Sequence, residues 1–203
     1  MAAAAAPSAS APYLKKVKKS ARTNVSAATG AVAQALFNIE TDNKSLKTAL
    51  SALHINAVKE VDIADKKKAT VIFYSLRFIR KFRKIQKAVI ADLEKKLKTD
   101  VVLIAQRKIQ AKPKSNMARR QRSRTLTAVH DAIVEDICYP ADIVGRRWHY
   151  SADGSKKMKI FFDLKVRDTT EPKLATFSTL IQKLTGRQVS FGYMSAPAFN
   201  EVA

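Results

Sequence analysis

Apolar residues recur every three or four positions in several stretches of this chain and alternate, or run together, in others. Val32, Leu36 and Ile39 predict a helix over 26–39, and Leu46, Ala49, Leu50 and Leu53 a second over 44–53. Ile55, Ala57, Val61 and Ile63 alternate with His54, Asn56, Glu60 and Asp62, the period of a strand with one buried face. A turn is expected at 65–68. The unbroken run at 69–74 reads as a strand buried on both faces, antiparallel to the first. The longest helix is predicted over 76–98. Phe78, Phe82, Ile85, Val89, Leu93 and Leu97 form its apolar stripe, and Ser75 can cap it. Its other side carries Arg77, Arg80, Lys81, Arg83, Lys84 and Lys87. Lys95, Lys96 and Lys98 occupy the last turn, where cations favour the negative helix end. A buried strand follows at 101–105.

The stretch 106–124 breaks the periodicity. Pro113, Ser115 and Asn116 argue against regular structure, and a loop of this length in a compact domain is functional or disordered. Ser123 or Thr125 then opens a helix to residue 138 with Leu126, Val129, Ile133 and Ile137 on one face, ended by Tyr139-Pro140. Strands at 144–150 and 157–164 form a hairpin that turns at Asp153-Gly154. A last helix over 171–184 buries Leu174, Phe177, Ile181 and Leu184 and stops at Gly186, and a strand at 188–193 closes the pattern. Strands alternate with helices, but two pairs are hairpins. The expected fold class is therefore α/β (α+β): a mixed, partly antiparallel sheet with helices packed on it. No internal repeat is visible. The domain reading is an arm over 1–25, a single domain over 26–195 and a tail over 196–203; the alanine-rich start, 1–12, has no apolar period to bury and reads as disordered.

Charge narrows the partners. The 203 residues hold 38 lysines and arginines against 17 acids, a net charge of +21. Such an excess repels itself unless a polyanion screens it, which makes nucleic acid the first candidate and a membrane surface the second. No apolar stretch is long enough to span a bilayer. A single cysteine, Cys138, excludes a disulfide scaffold or a multi-thiolate metal centre, and the histidines at 54, 130 and 149 form no ligand pair. The five glycines lie at no phosphate-loop spacing. No cofactor, metal, small-molecule substrate or catalytic group is therefore expected. His130, Asp131, Glu135 and Asp136 are polar residues on the outer flank of a helix. Cys138 reads as a buried structural cysteine.

The candidate RNA-binding residues fall in four groups. Lys15, Lys16, Lys18 and Lys19 lie in an acid-free arm. Arg80 and Lys84 lie on the long helix. Arg107, Lys108, Lys112, Lys114, Arg119, Arg120, Arg122 and Arg124 crowd the irregular stretch without one acid. Arginine there favours forked phosphate contacts. The same stretch also fits a nuclear-localisation signal. Arg146 and Arg147 mix with aromatics on a strand, where Trp148 is expected to pack and Arg147 to face out.

Four strings, LEKKLK at 93–98, VVLIAQRKI at 101–109, RSRTLTAVHDAIVEDICYPADIVG at 122–145 and LTGRQVSF at 184–191, together resemble the eukaryotic small-subunit ribosomal protein S-seven family, not the bacterial protein sharing that number. The similarity runs from residue 31 to 193. The chain departs from the family string at 91–97 and has a shortened central loop. The resemblance implies a structural constituent of the cytosolic small subunit, bound to ribosomal RNA and beside other small-subunit proteins. It also implies passage through the nucleolus with assembly factors during RNA processing. The alternative is an RNA-processing enzyme or another basic RNA-binding factor outside the ribosome.

Overall fold

The computed structural model describes residues 12–18, 26–51, 53–63, 67–114 and 119–194. The readings placed on 1–11, 19–25, 64–66, 115–118 and 196–203 lie outside the described residues, Lys19, Ser115 and Asn116 among them. The contacts divide the stretch read from sequence as one domain into two compact units, the first ending at Arg107 and the second running on from Lys108. Each has its own mixed three-stranded sheet, where the sequence suggested one sheet.

The first unit runs α1 (Ala27–Asp42), α2 (Lys44–Ser51), β1 (Ile55–Asp62), β2 (Lys68–Ser75), α3 (Ile79–Leu97) and β3 (Asp100–Gln106). Ser26 caps α1 by accepting the Thr29 N–H at 3.3 Å. β1 and β2 pair antiparallel, and β2 and β3 pair parallel with α3 as the crossover. The core gathers Val32, Leu36 and Ile39 of α1, Ile72 and Tyr74 of β2, Phe82, Val89 and Leu93 of α3, and Leu103 of β3. Each such side chain contributes roughly 1.5–3 kcal/mol on burial. Two details differ from the sequence pattern. A β-bulge between Ile55 and Ala57 shifts the alternation, so Val58, opposite Ile72, packs on the core instead of Ala57. Ser75 makes no side-chain cap; a 3-10 turn, Leu76–Phe78, leads into α3 instead.

The second unit runs α4 (Leu126–Cys138), β4 (Ile143–Tyr150), β5 (Lys156–Asp163), α5 (Arg167–Thr170), α6 (Leu174–Thr185) and β6 (Gln188–Met194). Thr125, not Ser123, caps α4, accepting the Ala128 N–H at 3.4 Å. Val129, Val134, Ile137 and Cys138 are buried, whereas Leu126, expected in the stripe, is 54% exposed in the first turn. The hairpin loop spans five residues, closed by the Ser151 N–H on the Ser155 carbonyl at 3.0 Å, with Gly154 at φ 77°. Met158, Ile160 and Phe162 of β5 are buried, as are Phe177, Leu180 and Ile181 of α6. Phe162 stacks on Phe191 at 5.4 Å, and Phe177 meets Phe191 edge-on at 6.3 Å.

The two units repeat one plan, which the sequence reading did not find. Ile55 pairs with Tyr74 as Ile143 pairs with Phe162, and Ala69 with Asp100 as Lys157 with Gln188, every position moved by 88 residues. The bulge recurs, between Ile143 and Gly145. So do the 3-10 turn after the middle strand, now Leu164–Val166, and the left-handed residue that ends the crossover helix, Lys98 at φ 55° and Gly186 at φ 71°. Even a cation over a ring recurs: Lys59 over Phe73 at 5.9 Å, Arg147 over Phe161 at 5.7 Å.

Candidate nucleic-acid interface

On the first unit, the long crossover helix sets the geometry. Phe82, Val89 and Leu93 point α3 into the core, and the 100° step per residue turns Arg80, Lys81, Lys84 and Lys87 away from it. All four are exposed, as is Arg77 just before the helix. No acid interrupts this face until Asp92. It is a row of cations on a rigid rod, fixed by the packing behind it. The sequence put all of these cations on the outer side of the helix and singled out Arg80 and Lys84 for RNA; the structure leaves Arg77, Lys81 and Lys87 equally exposed.

The basic arm at 12–18 is only partly solvent-facing. Pro12–Lys16 forms a 3-10 turn whose Leu14 and Lys16 are buried, and Val17 bridges to Ile55. The Lys16 ammonium meets Glu40 at 2.6 Å and donates to the Leu50 carbonyl at 2.7 Å. Lys16 thus leaves the solvent-facing set, because an acid on α1 and the end of α2 hold its charge inside. Lys15 and Lys18 are exposed.

On the second unit, the irregular stretch is partly closed on itself. The Gln110 N–H donates to the Arg124 carbonyl at 3.0 Å, and Arg120 donates to the Gln110 carbonyl at 2.8 Å. A 3-10 turn, Arg122–Arg124, runs into the Thr125 cap. Lys108, Lys112, Lys114, Arg119, Arg122 and Arg124 are exposed, and Arg120 is half-buried. Arg107, in the first unit, donates to the Ala105 carbonyl at 3.1 Å.

The strand residues fall differently from the sequence reading. Trp148 does not pack into the core but is 42% exposed. Its register opposite Met158 puts it on the helix side, at the end of the sheet, where the Arg187 guanidinium lies over its ring at 5.2 Å. Arg187, a residue the sequence did not single out, also binds Asp131 of α4. Arg146 is held by Glu135 at 2.8 Å and is therefore already neutralised by an acid of its own unit. Arg147 faces out, as expected.

Burial, and then the Arg187 charge, lowers the His130 pKa, while Asp131 is occupied by Arg187. Among the described residues no group of three or more His, Cys, Asp and Glu side chains could hold a metal ion, and no helix is long and apolar enough to cross a membrane. Burial pushes the Cys138 thiol up to about 12. The thiolate is the reactive form. A thiol reagent at pH 8 is expected to label Cys138 only after denaturant is added; stoichiometric labelling of the folded protein within minutes would contradict its burial.

These features define a basic α+β protein whose cations are presented by a rigid helix and an acid-free loop, the equipment of a nucleic-acid binder. The family profile of Ribosomal protein S7e matches residues 16–193, and the chain belongs to that family. Its relatives include the small ribosomal subunit protein eS7 of Avicennia marina, 49% identical over 80% of this chain and 86% of that one. The protein of the same name from Hordeum vulgare is 44% identical over 88% of this chain and 94% of its own length. That of Dictyostelium discoideum is 44% identical over 92% and 98%.

Proposed function

We propose that this chain is a structural, non-catalytic constituent of the cytosolic small ribosomal subunit, and that its exposed cations neutralise ribosomal RNA phosphates. Family membership across 16–193 carries the ribosomal reading. The acid-free outer face of α3 carries the RNA reading: Arg80, Lys81, Lys84 and Lys87 stand on a helix already fixed by its core side, so phosphate binding orders nothing further in the backbone. The loop cations Lys108, Lys112, Lys114, Arg119, Arg122 and Arg124 form a second contact set, on the second unit. The loop is the second clamp on RNA, since it carries eight cations and no acid within 106–124.

The protein acts during assembly as well as in the finished subunit. It joins the precursor in the nucleolus with assembly factors, supports RNA processing there, and leaves with the subunit. In cells depleted of it, free small subunits are expected to fall and unprocessed precursor RNA to rise in pulse-labelling, with the tagged protein sedimenting with small subunits. Normal processing and a tagged chain that stays at the top of the gradient would reject this role.

A further inference from the structure

The sheet of the second unit has one face that its helices leave open. Met158, Ile160 and Phe162 are buried on the helix side. The strand period puts Lys157, Lys159 and Phe161 of β5 on the opposite side, and the register adds Arg147 and His149 of β4 and Ser190 and Gly192 of β6. Arg147, His149, Lys157, Lys159 and Ser190 are exposed, and together with Trp148 they line a shallow hollow of about 310 Å³. The acid on this face is Asp163 at its far end, where the carboxylate caps the following turn through the Lys165 N–H.

At the centre stands Phe161, with glycine as its cross-strand neighbour on both sides, Gly145 and Gly192. A Cβ at Gly192 would come within 3.5 Å of the Phe161 ring, and one at Gly145 within 3.8 Å. The missing side chains leave room beside the ring that the Lys159 chain shares, its Cε lying 3.3 Å from where a Gly192 Cβ would stand. Arg147 and Lys159 stand 5.7 and 5.3 Å from the ring centroid. The first unit fills the same positions differently around the equivalent ring, Phe73. There, 88 residues earlier, Lys157, Lys159, Ser190 and Gly192 are Ala69, Val71, Val102 and Ile104, all apolar and all buried.

We propose that this face takes an unpaired segment of RNA: one base stacks on Phe161, and the adjoining phosphates meet Arg147, Lys157 and Lys159. An aromatic ring surrounded by cations and cleared by glycines is the equipment of a single-strand platform. The cations on α3 suit the backbone of a stem instead. The inference rests on the reading of the chain as a ribosomal RNA binder, and adds that it recognises two kinds of RNA at two surfaces.

The test uses the full chain with two probes: an unpaired RNA of about ten nucleotides carrying 2-aminopurine, and a hairpin stem. Wild type should bind both and quench the 2-aminopurine. Phe161→Leu, which keeps an apolar residue of similar size, should lose the quench and bind the unpaired RNA about tenfold more weakly, with stem binding unchanged. Lys157→Gln with Lys159→Gln should weaken unpaired-strand binding while the remaining complex still quenches. Binding of the stem alone, or equal binding of the unpaired RNA by wild type and Phe161→Leu, overturns the platform and leaves the face to an acidic protein neighbour. Failure to bind either RNA overturns the underlying RNA-binding reading as well.

Discussion

Replacing Arg80, Lys81, Lys84 and Lys87 with glutamine is expected to lower the salt slope of ribosomal RNA binding by up to about three units. Each neutralised phosphate contributes about 0.7 to 0.9 to that slope, and four side chains share this helix face. Three units correspond to about a 60-fold difference in how much affinity is lost between about 50 and 200 mM salt. Folding should hardly change, because these side chains are exposed and the stripe of Phe82, Val89 and Leu93 behind them is untouched. The same substitution at Arg119, Arg120, Arg122 and Arg124 should also flatten the slope, though by less than the full count. Arg120 already donates to the Gln110 carbonyl and is only half-exposed. The measurement is binding to a ribosomal RNA fragment over a salt series, all three proteins side by side. Coincident slopes for wild type and the helix variant would show that α3 faces something other than phosphate.

The helices and strands were largely legible in the sequence, because burial on one side imposes a period that survives any choice among Leu, Ile, Val and Phe. What periodicity cannot carry is register. The bulge at Ile55 and Ala57 moves Val58 inward without changing one residue of the alternation. The internal repeat was hidden for a related reason. Ile72 and Ile160, Phe73 and Phe161, Leu76 and Leu164 and Val101 and Val189 are identical pairs at a spacing of 88, but most positions keep only their burial, as Leu93 and Ile181 do. The open sheet face does not keep even that, since apolar residues in one unit stand where the other has lysines.

The candidate site was legible as charge and much less as pairing. Counting cations found α3 and the irregular loop, because acid-free runs are a property of sequence. It could not show that Arg146 is matched by Glu135, eleven residues earlier on a helix, or that Arg187 lies between Asp131 and Trp148. Those pairs form only when separate elements pack. Trp148 is the clearest case: alternation put it on the helix side correctly, but it stays 42% exposed there, and a guanidinium lies over its ring.

Lys16 offers the sharpest test of that distinction. Read as sequence, it is one cation in a basic arm; in the fold its side chain is 7% exposed and paired with Glu40, itself 14% exposed. Glu40→Leu is expected to destabilise the protein by about 3 kcal/mol or more, since it strands a buried ammonium with only the Leu50 carbonyl at 2.7 Å to accept from it. Lys16→Met combined with Glu40→Leu should recover most of that loss, because a buried ion pair exchanged for apolar groups of similar volume is often neutral or better. The double change removes one positive charge and one negative charge, so the salt slope of RNA binding should match wild type, unlike that of the α3 variant. Urea unfolding gives the first two values and the salt series the third. A Glu40→Leu protein as stable as wild type, or a double variant with a flattened slope, would return Lys16 to the surface and to the RNA.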